Sequence, residues 1–308
     1  RQMSVASHTL LALLHRLQQE DEAVCSVFLD IKAAFDTALP EALHYITRRI
    51  FPNSNLPDLI HNLTNRGIAN LLVNGEYGQL FILFWGCGQG DPLSSSRYLV
   101  LHHLFVMFLF YAIKKSTNNR IGVLLPGVED KCSCIPPTAF ADDTNKTLKF
   151  RTQSDVEFWF RILDDAAKMT GLVVNRSKTK ILLTGEGEER ALALPLASQV
   201  GEVVDVVEHL GVFISLDLIT GRDKTYLTLR DKIAEATKSF QKNCHSPDIF
   251  HKKMLLQSLV SSKMLNIFRV YPPTDDFVKE TWKQIREVLW HYTWEGKLHG
   301  RPKVAEDQ

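Results

Sequence analysis

The sequence predicts an α+β fold, with strands and hairpins in its first two thirds and helices towards its end. Apolar residues at helical spacing in residues 3–17 predict an amphipathic helix. The β-branched, apolar run at residues 23–31 predicts a buried strand. Two hairpin patterns, one around Asn74-Gly75 and one at residues 138–150, predict antiparallel strand pairs. Apolar residues make up 45% of the 308 residues, enough for a substantial core.

Start and stop signals predict the further elements. Ser154 and Glu157 form an S-x-x-E capping box at a helix start, and Gly171 ends that helix at its C′ position. The apolar run 98–113 is shorter than the ~20 residues of a membrane span and contains two histidines, so we expect a buried core helix. We expect that helix to begin at about Leu93. The other predicted elements are a helix from Pro40 to about Arg49, strands at 172–175 and 178–184, a strand pair or bent strand at 203–215, and helices from 224 to about 294, broken near Pro247 and Pro272-Pro273.

Charge is balanced over the whole chain but segregated along it. The net charge is +1, so any nucleic-acid affinity must come from local patches. Residues 184–223 carry eight acidic and two basic side chains, and residues 224–270 carry nine basic and three acidic ones. A basic helical segment suits a phosphate backbone, although a solvated helix face has the same composition.

The five cysteines predict the reduced thiols of an intracellular protein. Cys132 and Cys134 are separated by one residue, and no second pair or histidine cluster follows at the spacing of zinc ligands. The sequence therefore favours free thiols over a zinc site.

The stretch TAFADDTNK places Asp142 and Asp143 side by side at the turn of a predicted hairpin. Two like charges about 4 Å apart cost roughly 4 kcal/mol at an effective dielectric of about 20, so a partly buried pair needs a cation or a raised pKa. Asp30 ends a predicted buried strand, and three carboxylates converge if the two strands are neighbours. Such an oxygen site suits Mg²⁺, and two ions about 3.5–4 Å apart support phosphoryl transfer. The sequence has no GxxxxGK[ST] pattern, and the pair lacks EF-hand spacing.

Five motifs carry a resemblance to reverse transcriptases. In chain order they are FLDIKAAFD (28–36), GCGQGDPLSS (86–95), FADDT (140–144), GLVVNRSKTK (171–180) and EHLGVFIS (208–215). They follow the family's order at compatible spacings, and they most resemble the reverse transcriptase domain of LINE-type non-LTR retrotransposons. Group II intron reverse transcriptases carry similar strings. The chain departs from the family at Gly88, where arginine or proline is usual, and at Ser94-Ser95, where the family has Ser-Pro.

The resemblance implies a right-hand polymerase fold, with an antiparallel palm sheet backed by helices, partial fingers and a helical thumb. It divides the chain into residual fingers or an entry helix (1–22), a palm with inserted finger elements (23–222) and a thumb (223–308). The family's upstream basic finger motifs, which hold the nucleoside triphosphate, have no counterpart here, and Arg1 falls about where the family's G-R-S segment begins. We therefore expect the chain to be a fragment or a processed product.

The resemblance also implies a two-metal site. Asp30 and Asp142 would bridge two Mg²⁺ ions, with Mn²⁺ as an alternative. Asp143 would support the ion at the primer 3′-OH, and the Ile31 carbonyl would add a ligand. The ring of Phe35 would lie under the incoming sugar and exclude a 2′-OH, although a core aromatic also fits this position.

Further implied roles concern the nucleotide and the primer. Gln89 and Gly90 would lie against the nascent base pair, where glycine allows close approach of the backbone. Lys178 would help pyrophosphate to leave, although a lysine at a strand edge on the surface fits equally well. Leu210-Gly211 matches the strand that supports the primer end, and a plain hairpin fits there too.

These roles predict an RNA-directed DNA polymerase, in which a primer 3′-OH attacks the α-phosphate of a deoxynucleoside triphosphate. The implied partners are an RNA template, a DNA primer and the dNTP, without a membrane, and the implied location is intracellular, in the nucleus. The alternative is an inactive or domesticated remnant that binds nucleic acid or protein. The intact aspartates and Phe35 argue against the remnant, and the missing finger motifs argue for it.

Overall fold

A computed structural model describes residues 2–64, 67–83, 86–87, 93–116, 121–124, 134–140, 143–243, 254, 257, 262–290, 293–294 and 297–298. The chain divides into two compact units, one formed by Leu13–Asp205 and the other by Arg1–Ala12 with Val206–Gln308. The predicted border between palm and thumb, at residues 222 and 223, falls inside the helix Leu218–Asn243. The functional division into fingers, palm and thumb stays a prediction.

The unit Leu13–Asp205 is built on a five-stranded sheet. In chain order the strands of this unit are β1 (Cys25–Leu29), β2 (Gly67–Val73), β3 (Glu76–Leu83), β4 (Thr138–Phe140), β5 (Asp143–Leu148), β6 (Lys180–Leu183) and β7 (Glu202–Val203). The sheet has the order β4-β5-β1-β6-β7, and all its pairings are antiparallel except β6–β7. All five residues of β1 are buried, as expected for the central strand. The separate hairpin β2–β3 turns at Asn74-Gly75, as predicted.

Helices back this sheet and confirm the α+β class. The helices of this unit are α2 (Ala34–Thr37), α3 (Pro40–Ile50), α4 (Leu56–Thr64), α5 (Ser94–Lys115), α6 (Gln153–Thr170) and α7 (Gly187–Val200), and α1 (Gln2–Gln19) belongs to it only from Leu13 onward. Helix α5 has the length and hydropathy of a membrane span. Its residues Tyr98, Leu101 and Phe105 nevertheless lie in the main core with the strands of the sheet, as predicted for a buried helix.

The start of α6 differs from the prediction. Thr152 is the N-cap, and the carboxylate of Asp155 accepts hydrogen bonds from the backbone N–H groups of Thr152 and Arg151, both at 2.9 Å. The predicted capping box of Ser154 and Glu157 is therefore wrong. The same pattern occurs two residues earlier in the sequence, and there a buried carboxylate satisfies amides that would otherwise be unpaired at the helix start.

The second unit contains a hairpin and a series of helices. Its elements beyond residue 205 are β8 (Val206–His209), β9 (Val212–Ser215), α8 (Leu218–Asn243), α9 (Ser262–Val270), α10 (Asp275–Trp290), β10 (Thr293–Trp294) and β11 (Lys297–Leu298). The Tyr226 hydroxyl donates to the Tyr271 carbonyl at 2.8 Å, and the Tyr271 hydroxyl donates to the Phe213 carbonyl at 2.9 Å. The predicted break at Pro272-Pro273 lies between α9 and α10, and the predicted break at Pro247 lies outside the described residues.

Candidate active site

Two of the three predicted aspartates, Asp30 and Asp143, lie at the same end of the paired strands β1 and β5. Strands β1 and β5 pair from Cys25↔Leu148 to Leu29↔Thr144. The same register, continued by one residue, places Asp30 beside Asp143, and residues directly opposite in antiparallel strands have Cα atoms about 4.5–5.5 Å apart. Asp143 is exposed and Asp30 is half-buried, so both carboxyl groups lie where solvent reaches the sheet end.

The third aspartate, Asp142, lies outside the described residues, in the two-residue link between β4 and β5. Phe140 and Asp143 pair across that hairpin, which confirms the predicted hairpin. Within the described residues, no group of three His, Cys, Asp or Glu side chains is placed to hold a metal ion. The two described carboxylates nevertheless supply the hard oxygen donors that suit Mg²⁺.

The fourth sequence motif holds the chain segment that follows Asp30. The predicted strand 172–175 forms only a single bridge, between Val174 and Ile31. The Asn175 N–H donates to the Asp30 carbonyl at 2.7 Å, and the Lys32 N–H donates to the carbonyl of Val173 at 2.8 Å. The backbone groups in these two hydrogen bonds are the Asp30 carbonyl and the Lys32 N–H. The Ile31 carbonyl, which the resemblance makes a metal ligand, accepts neither of them.

The second motif is attached to the short helix that bears Phe35. The Cys87 N–H donates to the Phe35 carbonyl at 2.7 Å, and the Gly86 N–H donates to the Ala38 carbonyl at 3.0 Å. A Cβ atom on Gly86 would lie 3.0 Å from the Phe35 carbonyl oxygen, and Gly86 has φ +99°. Only glycine fits this approach without strain.

The ring of Phe35 is half-buried and stacks on Tyr98, with ring centroids 4.4 Å apart. Phe35 therefore has the alternative role, that of an aromatic residue packed against its neighbours. Because the ring also retains exposed surface, packing does not exclude contact with a bound sugar. The predicted contact with the incoming nucleotide stays a prediction.

Of the three remaining predicted site residues, the structure describes one, Lys178. Lys178 is exposed in the turn before β6, and its N–H donates to the Asn175 carbonyl at 3.1 Å. Because Lys180 at the start of β6 pairs with Phe28, Lys178 lies towards the Asp30 end of β1. Its exposure fits both a surface lysine and a contact with pyrophosphate. Gln89 and Gly90 lie outside the described residues.

A buried lysine beside the hairpin went unnoticed in the sequence. Lys146 lies on β5, is fully buried, and donates from Nζ to the Ile135 carbonyl. Its Nζ also lies 3.7 Å from the sulfur of Cys134 and 5.8 Å from the ring centre of Phe110. Burial lowers the pKa of this ammonium group, and Cys134 opposes that shift. The contact ties the segment before β4 to β5 and so supports the hairpin that leads to Asp143.

The basic segment of the second unit is partly neutralised where the structure describes it. Residues 224–243 carry five basic and two acidic side chains, a net charge of +3. Arg230 pairs with Glu280 at 3.0 Å, and Lys232 pairs with Glu208 at 3.9 Å. These partners leave less positive charge for a phosphate backbone than the composition alone indicates.

No protein-family model matches the chain. Its matches among solved structures include telomerases. Apo telomerase from Candida tropicalis is 12% identical, with a TM-score of 0.49, and the match covers 92% of this chain and 54% of that one. Telomerase from Candida albicans in complex with a TWJ fragment of telomeric RNA is 13% identical, with a TM-score of 0.45 and coverages of 92% and 47%. The chain thus spans about half the length of these structures.

Proposed function

We propose that this chain is the palm and thumb, with residual fingers, of an RNA-directed DNA polymerase of the non-LTR retrotransposon type. The reaction is transfer of a nucleotide from a dNTP to a primer 3′-OH on an RNA template, at a site with two Mg²⁺ ions. The partners are the template, the primer and the dNTP, and the location is intracellular and nuclear, as the resemblance implies.

One observation carries the proposal: the register of β1 and β5 brings Asp30 alongside Asp143, directly after the two-residue link that contains Asp142. Four of the five reverse-transcriptase motifs supply parts of this one region. They contribute β1, the residues attached to Phe35, the hairpin β4–β5 and the bridge to Ile31. Contacts between motifs distant in sequence thus support the proposed site.

The chain's own groups have distinct tasks in this reaction. The carboxylates of Asp30, Asp142 and Asp143 would hold the metal ions, which when bound activate the primer hydroxyl and stabilise charge on the leaving pyrophosphate. Phe35, kept in place by Tyr98, would restrict the space at the sugar 2′ position. Lys178 would attract the departing pyrophosphate through its positive charge.

Primer extension on an RNA template tests the proposal. In a polypeptide that joins this chain to the finger motifs of the family, we expect Mg²⁺-dependent incorporation of dNTPs, lost in Asp30→Asn and in Asp142→Asn, whereas residues 1–308 alone should extend a primer little or not at all. The metal site contributes several kcal/mol to transition-state stabilisation, so each loss should exceed about a hundredfold. Asp21→Asn is the matched control because Asp21 precedes the opposite end of β1, and asparagine can still accept the hydrogen bond from the Glu186 N–H.

The outcomes separate the polymerase from its alternative. Extension at the wild-type rate in Asp142→Asn would contradict the proposed role of that carboxylate. If the wild-type polypeptide with the finger motifs binds an RNA–DNA hybrid with steeply salt-dependent affinity but never extends the primer, the result would instead support a binding remnant.

A further inference from the structure

We propose that His102 is a positioning residue that fixes the start of β5, where Asp143 lies, through Thr144 and fixes Phe35 through Tyr98. This inference rests on the proposed function, since it assigns the support of the same site. His102 lies in α5, outside the stretches that the five motifs cover.

The first contact joins His102 to the carboxylate hairpin. Thr144 follows Asp143 on β5 and pairs with Leu29 on one side and Ala139 on the other. Its Oγ1 shares a hydrogen bond of 2.9 Å with Nε2 of His102, and the ring tautomer decides which atom donates. His102 is 3% exposed and Thr144 is 2% exposed, so water cannot replace either partner.

The second contact is a stack of rings along α5. Tyr98, His102 and Phe105 follow the spacing i, i+4, i+7, which puts them on one face of the helix. Their centroids are 5.9 and 6.2 Å apart, with interplanar angles of 19° and 18°. Phe35 extends the stack at 4.4 Å from Tyr98. The imidazole is therefore held between two rings while its edge binds Thr144.

Together the two contacts form a continuous buried path from the residue after Asp143 to the ring of Phe35. The path joins β5, α5 and α2, three elements that are far apart in sequence. Catalysis by positioning is sensitive to errors of about 1 Å, which can cost about a hundredfold in rate. A fixed imidazole at the centre of this path would hold the carboxylates and the ring of Phe35 in constant positions relative to each other.

Paired substitutions at Thr144 separate positioning from packing. Thr144→Val keeps the side-chain volume but removes the hydroxyl, whereas Thr144→Ser keeps the hydroxyl but loses a methyl group. If only packing matters, Thr144→Ser is the more damaging change. If the hydrogen bond positions the start of β5, Thr144→Val is the more damaging change, by about tenfold.

The readouts are Mn²⁺ affinity from electron paramagnetic resonance titration and, separately, kcat and the KM for dNTP. We expect Thr144→Val to weaken Mn²⁺ binding and lower kcat by about tenfold, with KM unchanged and with Thr144→Ser within twofold of wild type. Thr147→Val, a buried threonine on the same strand, is the control. If Thr144→Val fails to fold, His102→Phe removes the same hydrogen bond while it keeps a ring in the stack.

Wild-type Mn²⁺ affinity in Thr144→Val or in a folded His102→Phe would overturn this inference alone. A wild-type chain that binds no Mn²⁺ would overturn both the inference and the proposed function. A loss in Thr144→Ser as large as in Thr144→Val would assign His102 and Thr144 to packing only, which also overturns the inference.

Discussion

Replacement of Gly171 by alanine tests how α6 constrains the site. Gly171 ends α6 with φ +81°, and a Cβ atom there would lie 2.2 Å from the carbonyl oxygen of Thr37. Real Cβ contacts are almost never shorter than 3.0 Å, so the Thr37 carbonyl must move by about 0.8 Å. Because Thr37 lies two residues after Phe35 in α2, the aromatic ring should move with it.

The matched control is Gly187→Ala. Gly187 also has a positive φ, +56°, but nothing lies within 4 Å of its added Cβ atom. Both variants place alanine in the left-handed region, at about 1–2 kcal/mol. Gly171→Ala should add an overpacking cost of about 1–3 kcal/mol, for a total of roughly 2–5 kcal/mol.

Urea unfolding of the two variants measures this difference, and primer extension with dNTP and rNTP measures the shift of Phe35. We expect Gly171→Ala to lose more stability than Gly187→Ala and to change the ratio of ribonucleotide to deoxynucleotide use. Equal losses of stability with an unchanged ratio would refute the reasoning, since the close approach to Thr37 would then constrain nothing.

Three further predictions concern single residues. Phe35→Val should raise ribonucleotide use relative to deoxynucleotide use on one template, and an unchanged ratio would leave Phe35 with packing alone. Burial lowers the pKa of His209 to about 4, below its unfolded value of about 6.5, so the unfolded chain binds the proton first and stability falls as pH drops from 6.5 to 4. Between pH 7.5 and 5, wild type should therefore lose about 2 kcal/mol more than His209→Gln in urea unfolding, whereas parallel losses would contradict the buried, neutral imidazole. Leu210 has φ +54° in a two-residue turn, so Leu210→Asn should raise the free energy of unfolding by about 1 kcal/mol, and a loss would show that the leucine side chain is needed for packing.

Elements with strong local signals were predictable from the sequence. The β2–β3 turn at Asn74-Gly75, the helix that begins at Pro40 and the helix end at Gly171 all carry residues whose own conformational limits fix the structure. Helix α7 was missed because its apolar residues do not form a clear stripe and Pro195 lies inside it. Its helical state follows from the burial of a few small residues against the sheet, which local propensity does not encode.

The candidate site divides in the same way. The sequence places Asp30 and Asp143 at strand ends, so their approach was predictable only on the condition that the two strands are neighbours. The pairing of β1 with β5 meets that condition. The bond between His102 and Thr144 was not predictable, because it joins residues 42 positions apart through the packing of α5 on the sheet. The only sequence signal near this bond is the helical spacing of the rings of Tyr98, His102 and Phe105. The burial of Lys146 was not predictable, since a lysine in a strand is usually exposed.

Direct titration of Mn²⁺ into the purified chain, followed by electron paramagnetic resonance, tests the central claim that these aspartates form a metal site. The account predicts two bound ions per chain in wild type and in Asp21→Asn, with at least one ion lost in Asp30→Asn and in Asp143→Asn. Asparagine at either position removes a charged oxygen ligand but keeps the size of the side chain. Equal Mn²⁺ binding by wild type and both site variants, or no binding by wild type, would contradict the account.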